Sequence, residues 1–99
     1  MLNQVVLVGR LTNNLIIEGN EENKKGEIVL AVQRPFKNKD GEYDTDFIPC
    51  VLYNMVAQNT AEYCKKGDIV GVKGRLQVED NKVVVIAEKI TFLSSKGGE

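Results

Sequence analysis

The sequence predicts an all-β fold, a small five-stranded barrel with one helix between the third and fourth strands. Three observations lead to this prediction. Stretches rich in β-branched residues recur with strand-like alternation, turn-forming residues separate them, and one amphipathic stretch suits a helix. With 99 residues, the chain is long enough for one domain with one small core.

The first two strands precede a loop that carries candidate binding residues. The first is expected over residues 4–10, an apolar run that suits a strand buried on both faces or bent at Gly9. After a polar connection at 19–26, the second strand is expected over 27–34, and Pro35 ends it. The loop that follows carries an aromatic residue and two lysines, Phe36, Lys37 and Lys39.

The third strand, expected over residues 44–53, has two faces of different character. Alternation puts a core stripe on one face, formed by Ile48, Cys50 and Leu52. The opposite face carries two aromatic rings, Phe47 and Tyr53. Because the chain has only three Phe and three Tyr, two rings on one outward face indicate that a ligand, another subunit or a loop covers them.

A helix is expected over residues 55–66, with Asn54 as its N-cap and Gly67 in the left-handed position after its end. The pair Lys65-Lys66 then suits the C-terminal end of the helix dipole rather than a ligand. Tyr63 is expected to pack into the core.

The fourth and fifth strands are expected over residues 68–78 and 83–93. Leu76 on the fourth strand and Phe92 on the fifth are interpreted as core residues. The outward face of the fourth strand carries two cations, Lys73 and Arg75.

The order of these elements is three strands, one helix and two strands, which matches the five-stranded OB barrel. Periodicity alone also allows other small α+β barrels. The barrel domain is expected over residues 1–93, and residues 94–99 are expected to form a short flexible C-terminal end.

Composition excludes several function classes. The formal net charge is −1, so only a local concentration of cations would favour an anionic partner. The chain has no histidine, which excludes a Cys-His nucleophile pair, a Cys/His zinc site and a histidine general base. The two cysteines, Cys50 and Cys64, are interpreted as buried reduced thiols, and no cofactor or metal is expected. No apolar run approaches the ~20 residues that cross a bilayer, and the first residues lack a signal-peptide pattern, so a cytoplasmic location is expected.

Several sequence blocks, in this order, resemble bacterial and phage single-stranded DNA-binding proteins across nearly the whole chain. The blocks are Leu2-Asn3 through Gly9-Arg10-Leu11, Leu30-Ala31-Val32-Gln33-Arg34-Pro35-Phe36, Gly41-Glu42, Asp46-Phe47-Ile48-Pro49-Cys50-Val51, and Lys65-Lys66-Gly67 with Gly74-Arg75-Leu76-Gln77. The resemblance implies an OB fold, non-catalytic coating of single-stranded DNA (ssDNA) in replication, recombination or repair, and a nucleoid-associated homotetramer, with a dimer as the alternative.

The resemblance also implies which residues bind the DNA. Bases would stack on three aromatic residues, Phe36, Phe47 and Tyr53. Phosphates would contact cations at the strand ends and on the fourth strand, Arg10, Arg34, Lys73 and Arg75, and cations in the loop, Lys37 and Lys39.

The sequence departs from the family's pattern at three places. The turn at residues 79–82 is much shorter than the family's loop between the last two strands, so one stacking platform is expected to be missing. Gln4 stands where many relatives have a basic residue. No Gly/Pro/Gln-rich linker with an acidic tip follows the barrel in this sequence, so recruitment of replication and repair enzymes by such a tail is not expected.

Two other function classes remain open on the sequence. The chain could be an OB interaction module of a primosome-type assembly, whose aromatic face contacts protein. It could also be a small metal-dependent nuclease, with Asp44 and Asp46 as paired carboxylates and Arg75 on the phosphate. No catalytic base, nucleophile or phosphate-cradling loop accompanies those carboxylates in the sequence, and the protein is expected not to be an enzyme.

Overall fold

The structure is a computed structural model that describes residues 1–95. Strands and one helix follow one another along this part of the chain. Their bounds are β1 (Val5–Leu11), β2 (Glu18–Gly19), β3 (Lys24–Lys37), β4 (Tyr43–Tyr53), α1 (Asn54–Tyr63), β5 (Ile69–Glu79) and β6 (Lys82–Ser94).

Five of the strands close into a barrel. The hydrogen-bonded order is β1-β5-β6-β4-β3-β2, and β1 also pairs with β3, which completes the ring. The β4–β6 pairing is parallel, and the other pairings are antiparallel. The two-residue β2 only extends β3 at one end. The predicted five-stranded OB barrel, with its helix between the third and fourth barrel strands, is confirmed.

Two glycines let the barrel strands approach one another. A Cβ added at Gly74 would collide with the carbonyl group of Ile86, and the β5–β6 register shifts at this same point. A Cβ added at Gly9 would lie 2.5 Å from the carbonyl oxygen of Ala31, beside the β1–β3 contact that closes the ring. Both positions agree with the expectation of strands bent at glycine.

The core is formed by the inward faces of the barrel strands. The predicted stripe of β4 is confirmed, since Cys50 and Leu52 are fully buried and Ile48 packs against them. Burial raises the pKa of the Cys50 thiol to about 11, which keeps the thiol protonated at neutral pH. The other fully buried members of this cluster come from β3 and β5 and from the helix, and are Ile28, Leu30, Ala57, Val70 and Val72.

The helix is shorter than predicted, and both of its ends differ from the predicted ones. It spans Asn54–Tyr63, and the Asn54 side chain accepts a hydrogen bond from the Lys24 amide at 3.1 Å instead of capping the helix. Lys65 and Lys66 lie beyond its end, so the helix-dipole interpretation of this pair is wrong. Gly67 does have a positive φ of 96°, but its amide donates to the Leu11 carbonyl at 2.8 Å and so ties the loop to β1.

Several apolar side chains predicted to be buried are exposed. Tyr63 is 70% exposed and Phe92 49% exposed. Leu76 is 44% exposed although its register partner Val85 belongs to the core, because β5 continues here past the end of its pairing with β1 at Gly74. On β1, Val6 and Val8 point outward, so this strand alternates instead of being buried on both faces.

The C-terminal end was predicted to begin at residue 94, but β6 continues through Ser94. Residues 96–99 of the predicted flexible end lie outside the described residues. Within residues 1–95, no helix is long and apolar enough to cross a membrane.

Candidate nucleic-acid interface

The outward side of β4 forms the surface that we call the aromatic face. It carries Phe47, Pro49, Val51 and Tyr53, as the alternation predicted. Phe47 is 65% exposed and Tyr53 is 37% exposed. Between them, Val51 is buried against Val84 and Ile86 of the neighbouring strand β6. The two rings therefore stand at opposite ends of a short apolar floor.

At one end of the aromatic face, Phe47 lies in a row with a cation. The strand registers pair Phe47 with Ala31 of β3 and Ala31 with Arg10 of β1, so all three side chains point outward. Adjacent strands are about 4.8 Å apart, which places the Arg10 backbone roughly 10 Å from that of Phe47. The Arg10 guanidinium also donates to the Gly67 carbonyl at 2.7 Å, which limits the positions that it can take.

At the other end, Tyr53 is surrounded by charged side chains. Its hydroxyl donates to Glu79 Oε2 at 3.3 Å, and the Lys25 ammonium lies over its ring, 5.9 Å from the centroid. Lys25 Nζ is also 4.0 Å from Glu79 Oε1. The ring is therefore less available than that of Phe47.

A cleft of about 650 Å³ lies along the aromatic face at the Tyr53 end. Pro49, Val51 and Val84 are among its apolar lining residues. Its ionisable lining residues are four carboxylates and two lysines, Glu18, Glu27, Glu79, Asp80, Lys25 and Lys82. Because acidic groups outnumber basic ones, the cleft in this conformation disfavours the binding of phosphate at the Tyr53 end.

Phe36 lies across the β3–β4 hairpin from Phe47. Lys37 is the register partner of Tyr43, and its ammonium lies over the Tyr43 ring, so both share the side of Phe47. Phe36 itself lies in the irregular part of the β3–β4 pairing, just before Lys37, where the register shifts. Its side chain is 63% exposed. Of the three predicted stacking residues, the regular register therefore assigns only Phe47 and Tyr53 to one face.

Arg34 is bound to two aspartates of β4. Its guanidinium contacts Asp46 through Nη2 at 2.8 Å and Nε at 3.0 Å, and its Nη1 lies 3.6 Å from Asp44. The hydrogen bond to Asp46 raises the pKa of Arg34, and the same bond lowers the pKa of the Asp46 carboxyl. In the β4 alternation, both carboxylates lie on the side opposite to Phe47.

These contacts bear on the nuclease interpretation of Asp44 and Asp46. Each carboxylate faces the guanidinium of Arg34 instead of an open site. Among residues 1–95, no group of three or more Cys, Asp or Glu side chains is arranged to hold a metal ion. The pair therefore links the two strands of the hairpin near its turn.

The remaining predicted cations, Arg75, Lys73 and Lys39, lie at three different places. Arg75 belongs to the aromatic face, in one row with Ile86 and Val51, and its Nη1 lies 3.2 Å from Glu88. Lys73 has Val6 and Lys89 as register partners, so it lies on the outer surface of β1 and β5. Lys39 is exposed next to the turn of the β3–β4 hairpin. Neither Lys73 nor Lys39 forms an ion pair within residues 1–95.

Sequence reasoning missed Lys25 and Glu79, which flank Tyr53. Lys25 was assigned to a solvated connection, whereas it lies in β3 as the register partner of Tyr53. Glu79 was assigned to a turn, whereas it ends β5. The β3–β4 register would have indicated Lys25 once the two strands were aligned, but no local signal indicates Glu79.

Comparisons with known proteins identify sequences that are similar to this chain. Residues 2–93 match the model of the single-strand binding protein family. The chain is 41% identical to the single-stranded DNA-binding protein of Oceanobacillus iheyensis, over 100% of this chain and 68% of that protein. It is 39% identical to single-stranded DNA-binding protein B of Bacillus subtilis, over 100% of this chain and 96% of that protein.

Among solved structures, the fold is similar to the crystal structure of the small single-stranded DNA-binding protein from Streptomyces coelicolor. The TM-score is 0.75 at 19% identity, and the match covers 94% of this chain and 95% of that chain. Another relative, from Halalkalibacterium halodurans, is matched over only 65% of its own length. The family model and the relatives from Oceanobacillus iheyensis and Bacillus subtilis establish that this chain belongs to the single-strand binding protein family.

Proposed function

We propose that this chain binds single-stranded DNA with little sequence preference and without catalysis. The observation that carries the proposal is the exposed ring of Phe47 on a strand whose opposite face supplies Ile48, Cys50 and Leu52 to the core. Its relatives are named for single-stranded DNA binding, which supports the same conclusion.

Stacking on the aromatic face supplies the contacts to the bases. A base stacked on an aromatic ring contributes about 1–3 kcal/mol, and every base offers a π-face, so stacking tolerates any sequence. Phe47 is the primary platform because its ring is open, and Tyr53 is the second. Duplex DNA is disfavoured because its bases are already stacked within the helix.

Cations near the two rings supply the contacts to the phosphates. Arg10 lies in the row of Phe47, Lys37 lies on the Phe47 side of the hairpin, and Arg75 lies in the row of Val51. Each phosphate neutralised on a single strand contributes a salt-dependence slope of about −0.7. Binding is therefore expected to weaken steadily as salt concentration rises.

The other predicted residues contribute when the DNA leaves the aromatic face. A strand that follows the β3–β4 hairpin to its tip, beside Lys39, reaches the exposed ring of Phe36, and one that passes around the tip reaches Arg34. A strand that continues around the barrel reaches Lys73 on the outer surface of β5. The proposed path is thus wrapped, with Phe47 at its centre.

The same proposal includes self-association and a cellular role. Val6 and Val8 are 69% and 56% exposed on the outward side of β1, and such apolar residues are usually covered in an assembly. We propose a homotetramer, with a dimer as the alternative, that coats and protects ssDNA during replication, recombination or repair in the nucleoid region of the cytoplasm.

A second candidate function is an OB module whose aromatic face contacts protein. The observation in its favour is the excess of carboxylates in the cleft beside Tyr53, which repels phosphate and suits a cationic protein segment. Under this alternative, Phe47→Ala would weaken an assembly and leave DNA binding intact.

The test is a titration of labelled oligo(dT), oligo(U) and a duplex of equal length at several salt concentrations. We expect tight, salt-sensitive binding to oligo(dT) and weak binding to the duplex. Oligo(U) reports whether the deoxyribose matters. Failure to bind oligo(dT) even at low salt would contradict the proposed function and favour the protein-binding alternative.

A further inference from the structure

The carboxylate of Glu79 is held at the edge of the Tyr53 ring by three donors. Oε2 accepts hydrogen bonds from the Tyr53 hydroxyl at 3.3 Å and from the Gln77 side-chain amide at 3.0 Å. Oε1 lies 4.0 Å from Lys25 Nζ. The side chain of Glu79 is only 25% exposed, so these contacts fix its position at the end of β5.

Lys25 occupies the place that a stacked base would need. It is the register partner of Tyr53 across the β3–β4 pairing, and its ammonium lies over the Tyr53 ring at 5.9 Å from the centroid. The Lys25 side chain is 54% exposed, so it is free to move away when another anion attracts it. A nucleotide stacked on Tyr53 brings such an anion, its phosphate, beside the ring.

We propose that Glu79 and Lys25 form a latch that closes the Tyr53 platform, and that ssDNA opens it when a phosphate replaces the Glu79 carboxylate as the partner of Lys25. This inference rests on the proposed function. It makes Glu79 a residue that determines how strongly, and at which salt concentration, the second platform engages. It also makes Lys25 a phosphate contact that becomes available only after the exchange.

The charges around Tyr53 disfavour phosphate as long as Glu79 is charged. Glu18, Glu27 and Asp80 line the same cleft with Lys82 as the other cation, so a phosphate near Tyr53 meets a net negative surface while Glu79 is charged. Neutralising Glu79 removes one of these repulsive charges and releases Lys25 in a single step. At the Phe47 end, the cation–π contacts among the described residues involve Tyr53 and Tyr43 and not Phe47, so that platform needs no such exchange.

The experiment is a double-mutant cycle in oligo(dT) binding, with Glu79→Gln, Lys25→Gln and both together. The Glu79→Gln change should tighten binding about 2- to 5-fold at low salt, which is the range of an exposed ion pair. The salt slope should become steeper by up to about 0.7, because in wild type the cation released from the phosphate is offset by a cation taken up at the Glu79 carboxylate that Lys25 leaves, and Glu79→Gln removes that uptake. When Lys25 is already replaced by Gln, Glu79→Gln should increase the affinity for oligo(dT) by less. The remaining increase comes only from the lost repulsion between the Glu79 carboxylate and the phosphate.

Two further variants separate the effect of the Glu79 contacts from the effect of net charge. Glu62→Gln on the exposed side of the helix removes the same charge away from the aromatic face and should leave binding unchanged. Glu79→Asp withdraws the carboxylate by one methylene but keeps its charge, and should change affinity in the same direction as Glu79→Gln, by less. Thermal unfolding of each variant reports whether the latch also holds the β5–β6 hairpin in place.

The outcomes separate the latch from the proposed function. If wild-type protein fails to bind oligo(dT), the proposed function is wrong. If wild type binds but Glu79→Gln and Glu79→Asp bind equally or more weakly, the latch is overturned and Glu79 only stabilises the hairpin. An equal gain in Glu62→Gln would also overturn it, since general charge would then explain the effect.

Discussion

The two ends of the aromatic face differ although the same strand builds both. Phe47 and Tyr53 lie on β4 in the same phase of its alternation, yet the first ring is 65% exposed and the second 37%. Phe47 has the small side chain of Ala31 as its neighbour on β3, whereas Tyr53 has Lys25 and the end of β5. Residues that look equivalent along a strand thus differ because the adjacent strands supply different neighbours.

The largest expected effect is at the open end. Phe47→Ala should weaken oligo(dT) binding about 5- to 150-fold, the equivalent of about 1–3 kcal/mol for one lost base stack. Fluorescence anisotropy of a labelled oligonucleotide measures the change. Tyr63→Ala is a matched control, since Tyr63 is equally exposed, at 70%, but lies on the helix. Equal losses in both variants would contradict the assignment of Phe47.

The corresponding change at the closed end should cost less. Tyr53→Ala is expected to weaken oligo(dT) binding by about 5-fold or less, at the low end of the range for one stack, because Lys25 already covers the ring. The same anisotropy titration, run beside Phe47→Ala, measures the ratio between the two ends. A larger loss for Tyr53→Ala than for Phe47→Ala would reverse the comparison.

Two lysines on different surfaces test how far the DNA path extends. Lys37→Ala, on the Phe47 side of the hairpin, should reduce the magnitude of the salt slope by about 0.7 with a short oligo(dT). Lys73→Ala, on the outer surface of β5, should leave the slope unchanged with the short oligonucleotide and reduce it only with a longer one. The salt titrations measure both slopes. A smaller slope for Lys73→Ala with the short oligonucleotide would mean that the DNA path begins on β5.

The smallest effect is expected on the reverse side of the hairpin. Arg34 lowers the pKa of Asp46, so the contribution of this pair to stability is present above the usual aspartate pKa of about 3.9 and is lost as pH falls through the lowered value. NMR titration of the Asp46 carboxyl should show the low pKa in wild type and a return towards the usual value in Arg34→Ala. An unchanged pKa in the variant would disprove the pairing in solution.

The fold was predictable because it depends on local patterns. Alternation identified the core stripe of β4, and the order of strands and helix indicated the barrel before any pairing was known. Leu76 and Tyr63 were wrongly predicted to be buried because a periodic pattern gives the direction of a side chain but not what covers it. Leu76 keeps the inward phase opposite Val85, but β5 there extends past the end of its pairing with β1, and Tyr63 is the last residue of the helix.

The candidate site was predictable only in part. The outward position of Phe47 and Tyr53 follows from the period of two in a strand. That Arg34 is bound to Asp46, that Lys73 faces Val6, and that Phe36 lies across the hairpin depend on strand registers. Individual cations therefore could not be ranked from the sequence, because a lysine or arginine has the same local signature whether or not a carboxylate faces it.

The amino-acid sequence by itself determined the class of fold, the inward and outward phases of each regular strand, and the membership of the family. These depend on contacts between neighbours in the chain and on the hydrophobic effect, which any strand of this pattern satisfies. The tertiary structure alone decided which ring is open and which is covered. Glu79 and Tyr53 are 26 positions apart in the chain, and only the closure of the barrel brings the carboxylate within 3.3 Å of the hydroxyl.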